Sequence, residues 1–171
     1  MNTAIIIFSI IQAISISLGV GSSTIAILNF FQAIKDGKID PIERSFMGVT
    51  YIVLRIAMIV ILLTTIGLAM FGYYESGILY ITSYVIAQVF LILILFLNAT
   101  LMTLRIMPST FGPAIQASSW YSLGFILALS QQGLKEFSFI TFTLLYVGLI
   151  VVATLAIGGI MKYQRGKLET N

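Results

Sequence analysis

The chain has no cysteine and no histidine, and only 9% of its 171 residues are charged. The first two absences exclude disulfides, thiol chemistry, histidine-ligated or c-type haem, and the usual zinc sites. They also remove the side chains most often used as general base and nucleophile. Asp and Glu together number six, and none stands within a long apolar run. No intramembrane acid is therefore available for hydrolysis or a proton relay. Gly158-Gly159 has no Lys-Ser/Thr pair after it, so it is not a phosphate-cradling loop. The seven methionines are scattered and read as packing filler rather than metal ligands. These absences predict no enzyme, no cofactor and no metal.

What is present is apolar. Hydrophobic residues make up 59% of the chain, and the mean hydropathy is +1.07. Soluble domains carry about 25% charged residues. A chain of this size cannot hide so much apolar surface in its own core, and lipid has to cover the rest. The expected fold is all-α: a single integral membrane domain over residues 1–171, surrounded by membrane lipids. The net charge of +3 sits at segment ends and not on one face, which fits membrane orientation and not nucleic-acid binding. The N-terminal MNTAIIIFSIIQAISISLG lacks a basic leader and a small-x-small cleavage site, and it reads as a retained span, not a signal peptide.

Hydropathy predicts five transmembrane helices, at about 4–34, 42–71, 77–104, 113–131 and 139–161. Lys35, Lys38, Arg44, Arg105, Lys162, Arg165 and Lys167 then fall on one side, against Lys135 on the other. The positive-inside rule places the N-terminus outside and the C-terminus in the cytoplasm. The first two segments exceed the length that a bilayer needs, so they project beyond the cytoplasmic face. Between them, Asp40, Pro41 and Glu43 fit the N-cap, N1 and N3 positions of a capping box. Gly37 suits a left-handed helix end, and Pro113 suits a first helical residue. The spacing of Asp36, Gly37, Ile39 and Glu43 also matches half of a calcium loop, but Ile34 stands where a ligand is required.

Polar and small residues recur at helical spacing. Gln12, Ser15, Gly19, Ser22 and Ala26 form a stripe on the first helix, as helix packing in lipid requires. In the second, Gly48, Tyr51, Arg55, Met58, Leu62, Thr65 and Ala69 do the same. Gln88 and Asn98 lie on a stripe of the third. The fourth segment is the most polar, with Gln116, Ser118, Ser119, Ser122 and an interior Trp120 that needs an indole acceptor. Arg55 is the one charge set well inside a long apolar segment. With Asn29, Asn98 and Tyr51 it forms a candidate ligand-binding group for an anion, a lipid phosphate or a polar solute. The competing reading is an interface anchor whose guanidinium snorkels to headgroups.

Several strings carry a family resemblance. GVGSSTIAILNFFQAIKDGKI with Tyr51 to Arg55, LFLNATLMTLRIMP (Leu95 to Pro108) and SSWYSLGFILAL (Ser118 to Leu129) together resemble an uncharacterised family of small bacterial integral membrane proteins. That family has a GVGG-type first helix, a Leu-Asn third helix and a Trp-Tyr fourth helix. The resemblance implies five helices and an inner (plasma) membrane location, and it implies no activity. Members often carry a His and an acid in the first helix; here that helix has neither, and Ile27 stands at the acid's place.

Two function classes follow. One is a small transporter or channel for a polar or anionic solute, as a homo-oligomer because five helices leave little room for a pathway in one chain. The other is a non-transporting structural, assembly or lipid-interacting membrane protein. A continuous polar cavity separates the first from the second.

Overall fold

A computed structural model describes residues 3–33, 40–77, 81–108, 110–134 and 136–169. Among them are five α-helices and no strand: α1 (Thr3–Ala33), α2 (Pro41–Ser76), α3 (Ser83–Thr103), α4 (Phe111–Gln131) and α5 (Phe139–Glu169). Four of these, α1, α2, α3 and α5, are long and apolar enough to cross a membrane. With 21 residues, α4 is as long as α3 and falls short only in apolar content.

The reason is where α4 sits. It packs against α1, α3 and α5, and Gln116, Ser118, Ser119, Trp120 and Ser122 are all buried inside the bundle. A helix whose polar face is enclosed by other helices needs less hydrocarbon character than one bathed in lipid. The outer helices are the reverse case. On α5, Ile140, Leu144, Val152 and Leu155 are exposed, while Phe142, Tyr146 and Ile157 face inward.

Local sequence explains most boundaries. Asp40 is the N-cap of α2, with Asp40 Oδ1 accepting from the Glu43 N–H at 2.7 Å and Glu43 Oε2 accepting from the Asp40 N–H at 3.1 Å. The expected capping box is therefore formed, with Pro41 in the first turn. The turn residues 34–39, including Gly37, lie outside the described residues. At the far end of α2, Gly77 takes a left-handed φ of 68° and its N–H reaches Tyr73 O at 2.8 Å.

Four boundaries differ from the hydropathy reading. First, α2 runs to Ser76 and not to about 71. Next, α3 begins at Ser83 and not near 77, because Thr82 caps it through a 3.3 Å bond from the Val85 N–H. Pro113 is the third residue of α4, which starts at Phe111; this is still inside the first turn, where a missing N–H costs nothing. Finally, α5 continues past Met161 to Glu169, since Lys, Gln, Arg, Leu and Glu are good helix formers with or without an apolar partner.

The bundle is assembled around an antiparallel α1–α2 hairpin. Gly19 of α1 lies flat against Trp120 of α4, which is fully buried, and a Cβ added at Gly19 would overlap the indole ring. The same is true of Gly67 on α2 and the ring of Phe8 on α1. At one end of α5, Phe90, Phe139, Phe142 and Tyr146 form an aromatic cluster, with Phe90 edge-on to Phe139 at 5.6 Å and to Tyr146 at 6.1 Å. By contrast, α2 and α3 touch only lightly, which leaves a seam between them.

Gly19 and Gly21 make a matched test of this packing. Gly19→Val should destabilise the purified protein by about 1–3 kcal/mol, the usual cost of overpacking a tight contact. Gly21 has nothing within 4 Å of an added Cβ, so Gly21→Ala should leave thermal stability in detergent unchanged or slightly raised. Equal effects of the two would show that the indole does not rest on Gly19.

Candidate functional site

Arg55 is the fifteenth residue of α2, so about 21 Å of helix precedes it. It is level with the end of α3, because Arg55, Ala99, Thr103 and Leu104 share one cavity. Since α3 is about 31 Å long, close to the hydrocarbon thickness of a bilayer, the end of α3 sets Arg55 near a membrane boundary. The first turns of α2 then extend beyond it.

Two cavities flank the guanidinium. One, of about 240 Å³, is walled by Tyr51, Leu54, Arg55 and Met58 of α2, Ala99, Met102 and Thr103 of α3, and Gln116 of α4. The other, of about 330 Å³, shares Arg55, Met58, Ala99 and Thr103, and adds Ile59, Phe96, Thr100 and Leu104. Arg55 thus stands in the α2–α3 seam, between a pocket roofed by α4 and a groove facing lipid. No hydrogen bond or ion pair joins its side chain to any described residue, and neither cavity is lined by a carboxylate. The site is a single positive charge with hydroxyl and amide neighbours.

The four residues expected to share this site are not all brought together. Tyr51 lies one turn from Arg55 and lines the smaller cavity. Asn98 is 2% exposed and acts from behind the wall. Its Nδ2 donates to Gly112 O at 2.9 Å and to Gln116 Oε1 at 3.2 Å, with Met102 Sδ at 3.6 Å. Asn98 therefore positions Gln116 and does not itself face the cavity. Asn29 is half-buried on α1, and α1 contributes none of the described lining. The hairpin register explains this. Gln12 is paired with Thr65, so Asn29, about 25 Å farther along α1, passes the level of Arg55 and lies beside the first turns of α2.

Gln116, Thr103 and Met102 are wall residues outside the four that the sequence assigns to this site, Gln116 standing there only among the polar residues of the fourth segment. Each belongs to a helix whose rotation about its own axis is fixed only by its neighbours. The α1 stripe has a packing role. Gln12, Ser15, Gly19 and Ser22 are buried and Ala26 is half-buried, with Gln12 Nε2 donating to Thr65 Oγ1 at 3.2 Å and Gly19 against Trp120.

Comparison with protein-family models, with curated proteins and with solved structures returns no match. What the site can do is argued from its own chemistry.

The Asn98–Gln116 bond is measurable. In membrane proteins such interhelical bonds are worth about 0.6 kcal/mol on average and up to about 1.7. Asn98 also serves the Gly112 carbonyl, so Asn98→Leu should cost about 1–2 kcal/mol of stability. A double-mutant cycle with Gln116→Leu should show coupling of about 1 kcal/mol. Additive effects would mean that the two side chains are independent.

Proposed function

We propose that this chain is a non-transporting integral membrane protein that binds a phosphate-class anion at Arg55, with a phospholipid headgroup as its main source. One observation carries the reading: an Arg without an acid partner among the described residues stands in a seam that opens on lipid and is flanked by two cavities. A guanidinium binds phosphate through paired, charge-assisted N–H donors. Tyr51, Thr103 and Gln116 add hydroxyl and amide groups around it. The groove along Ile59 and Phe96 offers an apolar track for an acyl chain whose headgroup is held above.

A conducting path through one chain has less support. Between the Arg55 cavities and the opposite end of the α2–α3 seam stand Ile61, Leu91 and Leu95, each at most 1% exposed. A transporter of this sequence would need its pathway between copies. The positive-inside assignment puts the Arg55 end at the cytoplasmic face, where anionic lipids are concentrated.

The test is lipid retention by native mass spectrometry, after reconstitution in mixed phosphatidylcholine and phosphatidylglycerol, beside calorimetric titration with inorganic phosphate. Wild type should retain phosphatidylglycerol selectively. Arg55→Gln should weaken retention about tenfold, as expected for loss of a charge-assisted bond. Phosphate binding without lipid selectivity would reassign the site to a free anion. Unchanged binding of both by Arg55→Gln would refute the site.

A further inference from the structure

The other end of the α2–α3 seam holds a larger cavity, of about 530 Å³, with a different chemistry. Its walls are Leu68, Ala69 and Gly72 of α2, Ile81 just before α3, and Val85 and Val89 of α3, and among the described residues no charged one lines it. Its polar groups are gathered at the deep end. Thr65 Oγ1 accepts from Gln88 Nε2 at 2.8 Å and from Gln12 Nε2 at 3.2 Å, and donates to Ile61 O at 2.7 Å. Tyr84 Oη donates to Gln12 Oε1 at 3.5 Å, a long bond.

This leaves Thr65 fully used and Gln88 half used. One end of the Gln88 amide holds Thr65; the other end, its Oε1, accepts from no described residue, and Gln88 is 2% exposed. Burying an amide end without a partner costs on the order of 1–3 kcal/mol. Unlike Asn98 Oδ1, Gln88 Oε1 is not among the sealed side-chain atoms without partners, which places it at the cavity surface. Tyr84 and Gln12, joined by a stretched bond, are the other polar groups within reach.

From this arrangement we infer a second binding site, for a neutral amphiphile with an apolar body and a single hydroxyl. The volume falls within the range of ligand pockets, about 300–1,000 Å³, which are mostly apolar with a few placed polar groups. Neutrality follows from the lining, because a charged headgroup without a counter-ion would be strongly disfavoured at this depth. Gln88 is about 8 Å along α3 from Ser83, so the polar end of the guest points into the membrane and not to its surface. That polarity is opposite to a bilayer phospholipid. A hydroxyl suits the floor because it donates to Gln88 Oε1, while the Tyr84 O–H stays with Gln12 Oε1. The site does not depend on the anion reading at Arg55, since the two cavities share no residue.

The experiment uses full-length protein in phosphatidylcholine vesicles containing a diazirine-bearing hexadecanol, with the matching diazirine-bearing hexadecanoate as the charged comparison. After irradiation, adducts are mapped by peptide mass spectrometry. The alcohol should label Leu68, Ala69, Val85 and Val89 about tenfold above the lipid-facing surface of α5, a ratio equivalent to one good hydrogen bond. Excess unlabelled hexadecanol should compete, and the carboxylate should label neither surface preferentially. Gln88→Leu should abolish the preference. Ala69→Phe fills the cavity without touching the polar floor, so it should do the same in a protein whose helix content and thermal stability in detergent are intact. Labelling spread evenly over all lipid-facing helices, equal labelling by the carboxylate, adducts bridging two copies of the chain, or a preference that survives Ala69→Phe would each overturn the site.

Discussion

Hydrocarbon offers no hydrogen bonds, and the arrangement of this bundle follows from that one constraint. Most polar side chains inside the helices find a partner on their own helix or a neighbouring one, although Asn98 Oδ1, Ser118 Oγ, Trp120 Nε1 and Thr154 Oγ1 are buried without one among the described residues. Gln12, Ser22, Gln88 and Asn98 are all buried within the protein. The partners they and their neighbours find join the helices in pairs. Thr65 ties α2 to α1 and α3, and Thr24 and Tyr121 bridge α1 and α4 at 2.7 Å. Asn98 ties α3 to α4, while Ser119 and Tyr146 join α4 and α5 at 2.8 Å. Individually these bonds are modest. Together they fix which face of each helix is turned inward, something that apolar surface alone does poorly when lipid is as apolar as the core.

The most polar helix is consequently the central one. With Trp120 seated on Gly19 and the serines of α4 enclosed, α4 gives up the hydropathy of an ordinary span in exchange for close contacts with three neighbours. Among the described residues no such bond ties the α2–α3 seam except at Thr65 and Gln88, and it is there that the cavities open. One end carries a cation and the other an uncharged amide-hydroxyl floor. The tightly packed middle of the seam, around Ile61, Leu91 and Leu95, separates them. On the proposed reading, these two lateral openings of different chemistry meet lipids from the side.

Much of this is legible in the chain. Composition alone places the helices in lipid, and Asp40-Pro41-x-Glu43 marks the start of α2 because its capping chemistry is local. The stripe on α1 gives its inward face, since small and polar groups recur every three or four residues. The site is only partly legible. Periodicity orients a side chain around its own helix but does not set the axial register between helices, and that register separates Asn29 from Arg55. Nor does it say whether an inward residue faces a cavity or lies behind it, which is why Asn98 supports Gln116 instead of lining the wall. The cavity at Gln88 has no sequence signal at all, because it arises from how far α2 and α3 stand apart.

The absence of native cysteine makes one measurement especially direct. Single cysteines placed at Arg55, Ile61, Leu91 and Leu95 can be tested with a membrane-impermeant thiol reagent from each side of sealed vesicles. If helices close a dry middle between two lateral openings, the cysteine at Arg55 reacts from one side only. Those at Ile61, Leu91 and Leu95 then stay unreactive from both. Reaction at Leu91 and Leu95 would reveal water running through the bundle and would contradict this account of the fold and of what the protein does.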